Sequence, residues 1–81
     1  MIYPTIIKIQ PLENYRIKIN YNTGEEKIFN VLPYIKGQWY EELFEEKYFK
    51  TVHIIENGKG IEWENGQDIA PHELYDMSIN I

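Results

Sequence analysis

The residues best suited to acid–base chemistry lie in the last third of the chain. Asp68 follows an Asn65–Gly66 turn and precedes Pro71, and His72 lies four positions after the aspartate. Three further acids are close in sequence: Glu62, Glu64 and Glu73. A carboxylate can act as a general acid or base when a second group is poised beside it in a cleft. The same aspartate can instead accept backbone N–H bonds at a helix start or brace the turn. We predict the structural role and keep an acid-dependent enzyme or small-ligand domain as the alternative.

Metal and nucleophile chemistry have weaker support. His53 and His72 are the two histidines of the chain. Because Pro71 should start a helix after Asp68, Asp68 and His72 do not share a helix face, and two ligands are too few for a zinc site. The sequence has no cysteine, which excludes disulfides and thiol nucleophiles, and its one serine, Ser78, has no base nearby. We expect no metal, no cofactor and no enzymatic activity.

Aromatic and acidic residues in the middle of the chain predict a binding surface. The sequence contains seven tyrosines, three phenylalanines and two tryptophans, and a chain of this size hides only about 60% of its unfolded surface. Exposed Trp and Tyr are typical of interfaces. A run of glutamates near Leu43 is typical of a solvated helix face, with an acidic docking surface or a crude nucleic-acid mimic as the sharper alternatives. The predicted surface comprises Tyr34, Trp39, Tyr40, Glu41, Glu42 and Glu45, with Tyr48 beside it.

These residues must be positioned by a sheet with short helices. Residues 15–21 alternate apolar and polar side chains, and with the turn at Gly24 and residues 25–31 they predict a hairpin. Further strands are predicted at 5–10, 48–55 and 61–64. A brief helical turn or loop is predicted at 32–37, and short helices are predicted at 38–46 and after Pro71, where Leu74 and Met77 should point inward. Residues 78–81 should fray or pack loosely.

The pattern indicates a single α+β domain over residues 1–81, with about five antiparallel strands in hairpins or a meander and two or three short helices on one face. The net charge of −5 argues against direct nucleic-acid binding. No apolar run approaches the ~20 residues of a membrane helix, and no secretory leader is evident. We expect a cytoplasmic protein. Self-association through an uncovered sheet edge stays open.

The segment from Trp63 to Pro71, Trp-Glu-Asn-Gly-Gln-Asp-Ile-Ala-Pro, followed by Leu74–Tyr75, resembles the bacterial family called domain of unknown function 2442. The likeness extends over nearly the whole chain. It includes Gln10-Pro11-Leu12, the hairpin from Tyr15 with Gly24–Glu25 at its turn, Phe29-Asn30-Val31 and Phe49. One departure is Asn30, where the family pattern suggests aspartate, so a charge role there is in doubt. Within the motif, Trp63, Asn65, Gly66, Asp68 and Pro71 are expected to be structural.

The resemblance implies a small α+β fold and carries no catalytic or ligand residues. Relatives are similar to stand-alone proteins, to modules joined to a helix-turn-helix segment, or to the second partner of a domain of unknown function 4160 protein in a toxin–antitoxin-like operon. We expect no helix-turn-helix in this sequence and therefore no DNA binding of that kind. The expected function is a non-enzymatic protein–protein interaction module, in its specific form the antitoxin-like partner of a small basic toxin.

Overall fold

Two antiparallel sheets form the framework of the protein. The structure, a computed structural model, describes residues 3–81. The first sheet has four strands in the spatial order β1-β2-β3-β7: β1 (Ile6–Leu12), β2 (Arg16–Tyr21), β3 (Glu26–Asn30) and β7 (Ile79–Asn80). The second sheet has the order β4-β5-β6: β4 (His53–Ile55), β5 (Gly60–Glu62) and β6 (Asp68–Ile69). The predicted α+β class is confirmed, and the strands are divided between two sheets.

The hairpin of β2 and β3 follows the alternation in the sequence. Ile17, Ile19 and Tyr21 are buried, whereas the residues between them are half-exposed. Ile17 lies opposite Phe29, which is also buried. Branched and aromatic residues on one face of paired strands therefore build the core side of this sheet, as their β propensity favours.

The helical segments differ from their predicted bounds. The structure has three α-helical segments, α1 (Gly37–Tyr40), α2 (Glu46–Phe49) and α3 (Pro71–Asp76), and 3₁₀ helices at Glu13–Tyr15, Leu32–Tyr34 and Glu41–Phe44. The predicted continuous helix over 38–46 is wrong, because Glu45 is extended, with ψ of 114°. That break lets Leu43 and Phe49 both reach the core. The predicted strand over 48–55 is correspondingly shorter and begins at His53.

The C-terminal segment is more ordered than predicted. Leu74 is buried as expected, but Met77, predicted to point inward, is 65% exposed. Residues predicted to fray instead form β7, in which Ile79 pairs with Ile28 of β3. The buried Lys27 supports this arrangement, because its Nζ donates to the Tyr75 carbonyl at 3.0 Å and lies 4.0 Å from the Tyr75 ring centroid.

A glycine joins the two sheets. The Ile6 amide of β1 donates to the Gly58 carbonyl at 2.7 Å, in the turn between β4 and β5. Gly58 has φ of +91°, and a side chain there would clash with the Ile6 backbone.

The core lies between the sheets and the helical segments. Its buried apolar residues are Ile6, Ile17, Ile19, Tyr21, Phe29, Val31, Ile35, Leu43, Phe49, Val52, Ile61, Trp63, Ile69 and Leu74.

Candidate functional site

A buried glutamine fixes the acidic helical segment to the second sheet. Gln67 has no solvent exposure. Its Nε2 donates to the Trp39 carbonyl at 2.7 Å and to Glu42 Oε1 at 2.9 Å. Its Oε1 accepts from the Tyr48 hydroxyl at 2.6 Å. Every polar atom of the amide is thus hydrogen-bonded, as burial requires.

Asn65 completes this network from the neighbouring turn. Its backbone N–H donates to the Tyr48 hydroxyl, and its Nδ2 donates to Glu42 Oε2, both at 2.8 Å. Both carboxylate oxygens of Glu42, although the residue is exposed, and the hydroxyl of half-buried Tyr48 therefore form hydrogen bonds within the protein. Glu42 and Tyr48, which the sequence placed on or beside the predicted binding surface, thus stabilise the position of the acidic helical segment. We call Glu42, Tyr48, Asn65 and Gln67 the glutamine network.

The Trp63 motif is the support beneath this network. Trp63 is fully buried, its indole Nε1 donates to the Phe49 carbonyl at 2.9 Å, and its ring lies 5.8 Å from that of Phe49. Gly66, with φ of +96°, lies under the Trp39 ring, and an added Cβ would be 3.4 Å from that ring. The motif residues Trp63, Asn65 and Gly66 therefore hold α1 and the following 3₁₀ helix in place.

Asp68 does not take the structural role predicted for it. The N-cap residue of α3 is Ala70, which makes no side-chain cap bond, and Pro71 is the first helical residue. Asp68 lies two positions earlier, exposed, in β6 opposite Glu62. The chain needs an extended pair there to complete the second sheet, which removes the aspartate from the helix start.

Trp39 is the main exposed aromatic residue of the predicted surface. It is 52% exposed, and its ring lies 5.4 Å from that of Tyr40. Glu41 and Glu45 are exposed, and within residues 3–81 neither side chain takes part in an ion pair or hydrogen bond. Phe44, which is also exposed, packs against Tyr15, with ring centroids 5.5 Å apart. We call Trp39, Tyr40, Glu41 and Glu45 the acidic–aromatic face.

A cleft of about 400 Å³ adjoins this face. Its lining comprises Pro33, Tyr34, Lys36, Tyr40, Asp68, Ile69 and Glu73. Partial burial and the Glu73 carboxylate raise the pKa of Tyr34. The Tyr40 hydroxyl lies 3.5 Å from the Asp68 carbonyl oxygen, at the outer limit for a hydrogen bond. Tyr34 and Tyr40 of the predicted binding surface therefore line the same cleft as Asp68 and Glu73, two of the acids that the sequence suggested for acid–base chemistry.

The remaining acids and histidines are distributed over the second sheet. His53 pairs with Glu62, and Glu62 pairs with Asp68, so the three residues form a row on one face of the sheet. His53 Nε2 lies 3.7 Å from Glu62 Oε1. Glu64 and His72 are exposed elsewhere. Across residues 3–81, no three acidic or histidine side chains are grouped closely enough to hold a metal ion.

A second cavity, of about 580 Å³, is lined by none of the site residues predicted from the sequence. It lies at the corner between β1 and β2, where Asn14 and Tyr15 have left-handed backbone angles, with φ of 62° and 58°. Asn is a common left-handed residue, but Tyr is not.

The family comparison agrees with the motif. A family model described as "Protein of unknown function (DUF2442)" matches residues 6–80, and the chain belongs to this family. No curated protein and no solved structure matches the chain. None of the helices formed by residues 3–81 has the length and apolar character needed to cross a lipid bilayer.

Proposed function

We propose that this member of the family is a bacterial, cytoplasmic protein-interaction module without enzymatic activity, which binds a basic protein partner through the acidic–aromatic face. The observation that carries the proposal is Trp39, a large aromatic side chain held in place by the fold and half exposed to solvent. Tryptophan, together with tyrosine and arginine, is enriched among the interface residues that dominate binding energy.

The fold pre-organises Trp39. Its carbonyl accepts a hydrogen bond from buried Gln67, and its ring is supported by Gly66 below and Tyr40 beside it. A side chain that is already ordered loses little conformational entropy when a partner binds. The glutamine network therefore supports binding indirectly, by holding the backbone that presents the indole.

The charge of the face favours a basic partner. Glu41 and Glu45 carry carboxylates that no side chain among residues 3–81 neutralises, and the whole chain has a net charge of −5. Such uncompensated charge accelerates encounter with an oppositely charged protein and disfavours acidic competitors. The same charge makes direct nucleic-acid binding unfavourable.

A small basic toxin is the specific partner that we propose, with this chain as its antitoxin-like neutralising protein. The support is the likeness of the family to operon pairs of that kind, together with the acidity of the face. Binding of this type would cover Trp39 and bring basic side chains against Glu41 and Glu45.

Co-expression with the product of the neighbouring gene tests the proposal. We expect the two proteins to co-purify, and we expect Trp39→Ala and a Glu41→Gln/Glu45→Gln double variant each to lower the retained partner at least about tenfold. Matched controls are Met77→Ala, another large, exposed hydrophobic side chain, and Glu13→Gln, an exposed acid outside the face. Full retention by Trp39→Ala and by the charge variant would refute the acidic–aromatic face.

An acid-dependent enzyme or small-ligand domain is the second candidate. The row of His53, Glu62 and Asp68 next to the cleft favours it, because imidazole and carboxylate groups can exchange protons. Asp68 lines the cleft, so neutralising it cannot separate the two functions. The discriminating change is therefore made at Glu62, a member of the row that does not line the cleft: Glu62→Gln should leave partner retention intact in an interaction module and abolish turnover of any substrate in an enzyme.

A further inference from the structure

We propose that the cleft lined by Tyr34, Tyr40, Asp68 and Glu73 is the receptor for one arginine side chain of the partner. The inference rests on the proposed interaction function and specifies which chemical group the partner inserts. The cleft shares Tyr40 with the acidic–aromatic face, so one bound protein can cover Trp39 and enter the cleft together.

The walls of the cleft suit a flat cation. The Tyr34 ring is supported by Phe29, with centroids 5.2 Å apart, and the Tyr40 ring is supported by Trp39. Pro33 and Ile69 supply apolar surface. Aromatic faces attract guanidinium groups, and the methylene stem of arginine packs on apolar surface. A volume of about 400 Å³ admits one long side chain.

The charges of the cleft favour a cation over an anion. Asp68 and Glu73 supply two carboxylates against the single ammonium of Lys36. The ion pairs within residues 3–81 are Lys18–Glu26, Glu46–Lys50 and His53–Glu62, so neither cleft carboxylate forms an internal ion pair. The Glu73 carboxylate is close enough to Tyr34 to raise the pKa of that hydroxyl, which places an acid beside the aromatic wall.

Arginine fits this combination better than lysine. Its planar guanidinium can stack on a tyrosine face while its N–H groups bond a carboxylate in a fork geometry. Lysine offers a compact, strongly hydrated charge that cannot do both. Lys36, exposed at the rim, opposes the incoming charge, and its removal should strengthen binding.

A titration of the ¹⁵N-labelled chain tests the cleft directly. The probe is the capped tripeptide acetyl-Gly-Arg-Gly-amide, and the isosteric neutral control is the same peptide with citrulline. We expect the arginine peptide to bind at least about tenfold more tightly, as a charge-assisted bond requires. Its shift changes should centre on the amides of Lys36, Tyr40 and Ile69.

Variants that remove either a negative or a positive charge from the cleft should change arginine binding in opposite directions. Asp68→Asn and Glu73→Gln should each weaken arginine binding several-fold, Lys36→Gln should strengthen it, and Glu13→Gln should leave it unchanged. The amide spectrum of each free variant verifies that it is folded. Equal affinity for arginine and citrulline peptides, shift changes outside the cleft, or weaker binding by Lys36→Gln would each overturn the inference.

The inference and the proposed function can fail separately. If the arginine peptide does not bind in the cleft while Trp39→Ala still abolishes partner retention, the arginine site is wrong and the acidic–aromatic face stands. If the cleft selects arginine while Trp39→Ala retains the partner, the acidic–aromatic face is wrong and the arginine site stands.

Discussion

Gln67 and Asp68 are consecutive residues with opposite surroundings. Gln67 is fully buried and bonds Trp39, Glu42 and Tyr48, whereas Asp68 is exposed and lines an open cleft. Asp68 begins β6 and Gln67 is the residue directly before it, so one step along the chain separates a buried amide from an exposed carboxylate. The comparison shows that polar groups bonded within the fold stabilise it, and that polar groups left at the surface are the ones available to a ligand.

The largest effect should come from the residue beneath the glutamine network. Trp63→Ala removes a fully buried ring and should lower the free energy of unfolding by about 3–5 kcal/mol. Trp39→Ala removes a half-exposed ring and should cost less than half as much. Urea unfolding followed by circular dichroism measures both. If the two variants lost equal free energy of unfolding, Trp39 would contribute to stability as much as Trp63, and the contrast between a buried support and an exposed face would be wrong.

The next effect concerns the glutamine itself. Gln67→Leu leaves the Trp39 carbonyl and the Tyr48 hydroxyl without their partner, which should cost about 1–3 kcal/mol of unfolding free energy. Combined with Glu42→Gln in a double-mutant cycle, it should show a coupling energy of at least about 0.5 kcal/mol. Strict additivity in the urea measurements would mean that the network does not act as a unit.

A smaller effect should follow from Glu25, a carboxylate outside the glutamine network that accepts hydrogen bonds from Thr23 and Tyr75. Hydrogen bonds from the Tyr75 and Thr23 hydroxyls lower the pKa of Glu25 from its ordinary value of 4.5. A carboxylate with a lowered folded-state pKa adds stability above its ordinary pKa, and this stability is lost as pH falls through the lower folded value. Urea midpoints between pH 3 and 6 should therefore fall with acidification less steeply in Glu25→Gln than in the unaltered protein.

Glu13→Gln provides the control for that titration, because the Glu13 side chain is exposed and Arg16 bonds only its carbonyl. It should retain the steep acid dependence. A steep slope that survives in Glu25→Gln would show that the bond to Tyr75 contributes nothing to acid stability.

The smallest effect on stability should come from Asp68. Asp68→Asn removes a charge that bonds no other side chain among residues 3–81, so the free energy of unfolding should change by no more than about 0.5 kcal/mol. The same urea experiment checks this value. A loss above about 1 kcal/mol would place Asp68 among the structural residues and weaken its role in the cleft.

The sequence predicts the local parts of the fold well. The β2–β3 hairpin follows from strict alternation and a glycine turn, and Pro71 marks the start of α3. The break at Glu45 has no local signal, since no glycine or proline lies there, and it arises because Leu43 and Phe49 must both pack in the core. β7 is two residues long and exists through pairing with a strand some fifty positions earlier, which no local pattern reveals.

The candidate site shows the same limit. Trp39 and Tyr40 could be recognised as surface residues from the excess of aromatics in a short chain. The role of Gln67 could not, because its partners lie 19 to 28 positions away. The meeting of Tyr34, Asp68 and Glu73 in one cleft likewise depends on how β6 of the second sheet packs with three helical segments.

The two indoles occupy such different surroundings that the protein carries its own pair of optical reporters. Trp63, enclosed and bonded to the Phe49 carbonyl, should emit at shorter wavelength and resist acrylamide quenching, whereas Trp39 should emit further to the red and be quenched. Loss of the protected emission would signal unfolding, and protection of the quenchable emission would signal that something has docked.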